Sequence, residues 1–108
     1  MKRFGIVGCG SIGKRHIAVL DAEPGANLIA ICDQDAEAVE AQGELYPYLE
    51  YHTDYAEMLS QGGFDIVCIA TPYALHADMS IQALEAGYDV IVEKPMACLL
   101  YTSDAADE

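Results

Sequence analysis

A chain of 108 residues with a net charge of −13 and only five lysines and arginines lacks the basic footprint that nucleic acids and anionic membranes require. Its length bounds it to one domain, and a hydrophobic fraction of 53% is enough for a real core. No apolar run approaches the roughly 20 residues needed to cross a bilayer.

Met1-Lys2-Arg3 mimics the start of a signal peptide, but glycines interrupt the run that follows. The cysteines, Cys9, Cys32, Cys68 and Cys98, are far apart and form no CxxC pair. That pattern favours reduced packing thiols in a cytoplasmic protein over a disulfide framework or a zinc site.

A first strand is expected over residues 3–7, an apolar run that breaks into Gly8-Cys9-Gly10-Ser11-Ile12-Gly13. A helix follows over 11–22, with Ile12, Val19 and Leu20 on one face. Each glycine has a physical task in that setting. Gly8 permits a tight strand-to-helix turn, Gly10 lets a pyrophosphate approach the backbone, and Gly13 lets the helix pack close to the strand. The N–H groups of the first turn, at Ser11, Ile12 and Gly13, then face the phosphates together with the helix dipole.

Pro24-Gly25 ends the helix, and a second strand is expected over 27–32. Its near-continuous apolarity fits a parallel strand covered on both faces. Asp33 follows, twenty residues after Gly13. A carboxylate there can accept hydrogen bonds from both adenosine ribose hydroxyls and would repel a 2′-phosphate, so NAD is expected over NADP. The competing reading of Asp33 is a helix N-cap.

A second helix is expected over 36–45, with a thin apolar face of Ala38, Ala41 and Leu45 and an end weakened by Gly43. Tyr46, Tyr48 and Tyr51 are expected to cover a sheet edge near a short strand at 49–52, with His52 in a surface or edge position. Thr53 or Asp54 can cap a short helix to Leu59, and Gly62-Gly63 ends it. A core strand at 64–70, a helix at 74–86 bearing Ala77, Ile81 and Leu84, and a strand at 89–92 complete the pattern. Alternating strands and helices predict an α/β fold: a doubly wound parallel sheet of strand order 3-2-1-4-5, with its crevice at the carboxyl ends of strands one and four.

Two further motifs sit at carboxyl ends of strands: Ala70-Thr71-Pro72-Tyr73-Ala74-Leu75-His76 and Glu93-Lys94-Pro95. With the glycine loop and Asp33, they make residues 2–97 resemble the Gfo/Idh/MocA family of oxidoreductases. The resemblance implies a Rossmann domain binding NAD(P), and hydride transfer at a hydroxyl or carbonyl carbon of a sugar, cyclitol or polyol. It implies cofactor contacts at Thr71, Pro72, His76, Glu93 and Lys94, with Lys94 catalytic and Glu93 near the nicotinamide. The residues themselves also allow a packing role for His76 and a surface pair for Glu93 and Lys94.

Members of the family look like two-domain, oligomeric enzymes whose second domain supplies most of the substrate pocket. On that basis residues 1–97 are expected to be a partial Rossmann domain, open at its C-terminal edge along the fifth strand. Residues 98–108 depart from the family and resemble the translation of a transposase sequencing adapter, so they are expected to be non-native. Alone, such a piece is expected to turn over no substrate. The alternative is a stand-alone NAD-binding sensor or regulatory module without catalysis. A different two-domain dehydrogenase, of the homoserine or biliverdin reductase type, fits the two later motifs less well.

Overall fold

The computed structural model describes residues 2–71, 75–94 and 97–101. The chain alternates β1 (Lys2–Val7), α1 (Ser11–Ala22), β2 (Ala26–Cys32), α2 (Ala36–Leu45), β3 (Glu50–His52), α3 (Tyr55–Gln61), β4 (Ile66–Ile69), α4 (His76–Glu85), β5 (Asp89–Lys94) and β6 (Ala97–Tyr101). The sheet order is β3-β2-β1-β4-β5-β6. The first five strands pair in parallel, as expected, and β6 pairs antiparallel to β5.

Helices cover both faces of the sheet. Ile6, Leu28, Ile31 and Cys68 pack with Ile17 of α1 and Val39 of α2. Val7, Cys32, Val67, Ile69, Val90 and Val92 pack on the other face with Met58 of α3 and Ala83 of α4. Adjacent strand residues point to opposite faces, so a run such as Ile66–Ile69 must be apolar at every position. At the base of the sheet, Arg3 of β1 donates twice to Asp65, at 3.0 and 3.1 Å. Those hydrogen bonds hold the Asp65 carboxyl below its ordinary value.

The helix faces differ from the expectation. Ile17, and not Val19, is the buried anchor of α1, and Val19 is 57% exposed. Gly13 seats the helix on β1, so the inward face runs through positions 13, 17 and 20; Val19 lies about 200° round from Ile17. On α2 the inward residues are Val39, Gln42 and Gly43, while Leu45 is exposed. Gly43 is a packing site and not merely a weak end. A Cβ there would lie 2.7 Å from the ring of Tyr51, whose hydroxyl donates to the Gly43 carbonyl at 3.0 Å. On α4, His76 and Ala83 face inward and Ile81 is exposed, because the small Ala83 lets the helix close on β5.

The expected open edge at β5 is also corrected. β6 pairs with it from Val90↔Tyr101 to Lys94↔Ala97. The apolar segment of β6 satisfies backbone groups that β5 would otherwise leave unpaired. Val90 and Val92 are buried under α4, whereas Ile91, on the opposite face, is only partly covered.

Candidate functional site

β1 delivers Gly8 at the carboxyl end of the sheet, between β2 and β4. Its N–H donates to the Cys32 carbonyl at 2.7 Å, and the Ala70 N–H donates to Val7 at 2.8 Å. Gly8 has φ +102, and a Cβ on it would lie 2.6 Å from the Ala70 carbonyl carbon. Both facts demand glycine. Gly13 is held even more tightly: its Cβ would fall 1.8 Å from the Gly8 carbonyl oxygen. Gly10 is different. Nothing lies within 4 Å of a Cβ on Gly10, so its glycine leaves open space and does not relieve a clash. Gly10 is also the N-cap of α1, with no side-chain cap. Ser11, Ile12 and Gly13 form the first turn, whose N–H groups lack intrahelical partners. The side chains of Ser11 and Ile12 lie outside the description.

Asp33 stands beside this loop at the end of β2. Its Oδ2 accepts from the Cys9 N–H at 2.7 Å, and its Oδ1 accepts from the Asp35 N–H at 2.9 Å. The competing N-cap role belongs to Asp35, which caps α2 by accepting from Glu37. Asp33 is therefore half-buried in the cleft with lone pairs on both oxygens still to offer.

The cleft holds about 930 Å³ and is lined by Gly8, Gly10, Asp33, Thr71 and residues that sequence reading missed: Thr53, Asp54, Tyr55, Leu75, Met79 and Gln82. A signal for the first three existed, because loops at the carboxyl ends of all central strands line such a crevice. Among the described lining residues there is no lysine or arginine. The space suits a nucleotide-sized ligand. An uncapped helix start for phosphate, an open Gly10 and a carboxylate for ribose hydroxyls make the residues fit a dinucleotide without a 2′-phosphate.

Asp54 caps α3 by accepting from the Ala56 N–H at 3.0 Å and the Glu57 N–H at 3.4 Å. Asp54→Ala should cost about 1 kcal/mol in urea unfolding, and Asp54→Asn almost nothing. Tyr55 donates its hydroxyl to the Met79 carbonyl at 2.8 Å and so ties α3 to α4 across the cleft. Burial pushes its phenol above the ordinary range.

The buried thiols are chemically quiet. Burial first, and Asp33 second, push Cys9 up to about 12. Burial, then Cys9, Asp33 and Asp54, do the same to Cys32. Both stay protonated at neutral pH and serve as packing.

Thr71 lines the cleft, and His76, buried, places Nε2 at 2.6 Å from its carbonyl oxygen. Pro72 lies outside the described residues. Glu93 and Lys94 end β5, directly after its last pairing with β4 at Val92, with their side chains outside the described ones.

Comparison with known proteins places this geometry. The chain matches the family described as "Oxidoreductase family, NAD-binding Rossmann fold" over residues 2–108. It is 34% identical to D-apiose dehydrogenase of Paraburkholderia graminis over 102 residues, which is 93% of this chain and 27% of the relative. It is 34% identical to scyllo-inositol 2-dehydrogenase (NAD(+)) of Bacillus subtilis over 107 residues, or 98% of this chain and 31% of the relative. Among solved structures, the WlbA dehydrogenase from Bordetella pertussis, in complex with NADH and UDP-GlcNAcA, superposes with a TM-score of 0.82 at 39% identity. The match covers 90% of this chain and 30% of that one. The chain thus spans less than a third of the length of these relatives.

Proposed function

We infer the function from what the chain is: it belongs to the Gfo/Idh/MocA oxidoreductase family and is built on that family's NAD-binding Rossmann fold. In this reading it is the cofactor-binding part of an NAD-dependent dehydrogenase that acts on a hydroxyl or carbonyl carbon of a sugar, cyclitol or polyol. The observation that carries it is Asp33, held at 2.7 Å by the Cys9 N–H so that its carboxylate faces a cleft floored by the open Gly10. The names of the relatives, an apiose and an inositol dehydrogenase, support the substrate class.

Gly8 and Gly13 shape the loop, and the backbone of Gly10, Ser11, Ile12 and Gly13 would hold the pyrophosphate. Asp33 would take the adenosine ribose hydroxyls, and Thr71 and Pro72 would form the wall beside the cofactor. When bound, NAD supplies the carbon that accepts or donates hydride. Glu93 would orient groups on the nicotinamide side. Lys94 would take the proton from the substrate hydroxyl on oxidation and return it on reduction. The remainder of the substrate pocket, a homo-oligomeric parent, a reducing cytoplasmic setting and a non-native origin for residues 98–108 belong to the same proposal. Sequencing the source locus across the codon for Ala97 tests the last of these.

Calorimetric titration of the chain tests the cofactor assignment. NAD should bind, and NADP should bind about tenfold or more weakly. Asp33→Asn keeps an acceptor for Cys9 but removes the charge, so it should narrow that preference while weakening NAD. Equal affinity of the unchanged chain for both dinucleotides would sink the assignment of Asp33.

A further inference from the structure

We propose that His76 is a positioning residue of the dinucleotide cleft, acting through the carbonyl of Thr71 and not by touching the cofactor. Its functional consequence rests on the NAD-binding reading above; the contact itself rests on the fold alone.

His76 is the first residue of α4 and only 9% exposed. Its Nε2 lies 2.6 Å from the Thr71 carbonyl oxygen. A carbonyl only accepts, so Nε2 carries the hydrogen. The cleft is lined by Thr71 and by Leu75, which precedes His76 in the chain, but not by His76.

Thr71 is worth holding because of what lies behind it. The Cβ that Gly8 lacks would sit 2.6 and 2.7 Å from the Ala70 carbonyl carbon and oxygen, and 2.8 Å from the Thr71 nitrogen. The chain leaving β4 is thus pressed directly on the glycine that starts the phosphate loop. α4 grips the same residue a second time, where the Thr71 hydroxyl meets the Met79 sulfur at 3.4 Å. Met79 is in turn held by Tyr55 through its carbonyl.

The N-cap of α4, Leu75, makes no side-chain cap that could take over from the His76 contact. Removing the imidazole leaves the carbonyl of the half-buried Thr71 without that donor and frees the junction to move from Gly8. Such a displacement reaches the cofactor only through the wall and the loop, which defines a positioning role.

The test compares His76→Ala, His76→Asn and His76→Gln in the full 108-residue chain. A glutamine amide nitrogen reaches the place of Nε2, whereas that of asparagine reaches only the place of Nδ1. Two readouts are taken: NAD affinity, and hydrogen exchange of the Ala70 amide, which donates to Val7 at the junction. Alanine and asparagine should weaken NAD binding about tenfold and speed Ala70 exchange by a similar factor, while glutamine restores both to within about threefold.

A folded His76→Ala chain that binds NAD within about twofold of the unchanged chain would overturn the proposal. So would a glutamine variant as weak as alanine, because the imidazole would then matter for itself. If His76→Ala does not fold, the asparagine and glutamine pair decides. If the unchanged chain binds no NAD, the functional reading has failed, and Ala70 exchange alone still settles the tether.

Discussion

Gly13→Ala is expected to destabilise the chain by roughly 3 kcal/mol or more and to abolish NAD binding. The added methyl would have to sit 1.8 Å from the Gly8 carbonyl oxygen. That neighbour is backbone, held by the Gly8 N–H bond to Cys32 at 2.7 Å, so it cannot yield as a flexible side chain would. Either α1 lifts from β1, uncovering Ile17, or the loop deforms and the first helical turn no longer faces the cleft. Urea unfolding read by circular dichroism measures the first effect, and NAD titration the second.

Gly10→Ala is the informative companion. Its φ of −76 and ψ of −163 suit any residue, and its Cβ would meet nothing within 4 Å. Stability should therefore stay within about 0.5 kcal/mol. Binding should still fall at least about tenfold, because the methyl occupies the space assigned to the pyrophosphate. A Gly10→Ala chain that binds NAD normally would show that the phosphates lie elsewhere.

The second large effect belongs to Lys94, in a parent protein of the relatives' length. Lys94→Ala should lower kcat by about 10²- to 10⁴-fold with little change in the dissociation constant for NAD, as expected for a group that moves a proton at the reacting oxygen. Lys94→Arg should be nearly as slow, since a guanidinium does not give up its proton in this range. Stopped-flow measurement of NADH formation separates the chemical step from product release. A loss of kcat below about threefold in both variants would remove Lys94 from the proton transfer and leave it as a surface partner of Glu93.

The sheet order and the cofactor loop could be read directly because their signals are local. Phe4–Val7, Leu28–Cys32 and Ile66–Ile69 are apolar at successive positions, which only a strand covered on both faces requires. Two demands of the glycine loop are local, the φ of +102 at Gly8 and the contact of a Gly13 Cβ with the Gly8 carbonyl oxygen, whereas the pressure of Ala70 on Gly8 comes from a distant part of the chain. The orientation of each helix about its own axis was not local. Val19, Leu45 and Ile81 are apolar and helical in spacing, yet all three face solvent. Where a helix is short and its apolar stripe thin, one seat on the sheet, at Gly13 for α1 or Ala83 for α4, decides which face turns inward.

By itself, the amino-acid sequence determined the α/β alternation, the parallel order of the first five strands, the glycine loop and an acid at the end of β2. A positive φ at a turn glycine and the unbroken apolarity of a strand covered on both faces are properties of short segments and can be recognised without knowing the partner. Only the tertiary structure decided that Asp33 is bonded to Cys9 and not to a helix start, that Tyr55 and Met79 close the far side of the cleft, that His76 grips Thr71, and that β6 covers β5. Each of those contacts joins groups whose meeting depends on where separate elements come to rest. A side chain's donors and acceptors state what it can bond; packing alone states which partner arrives within 3 Å.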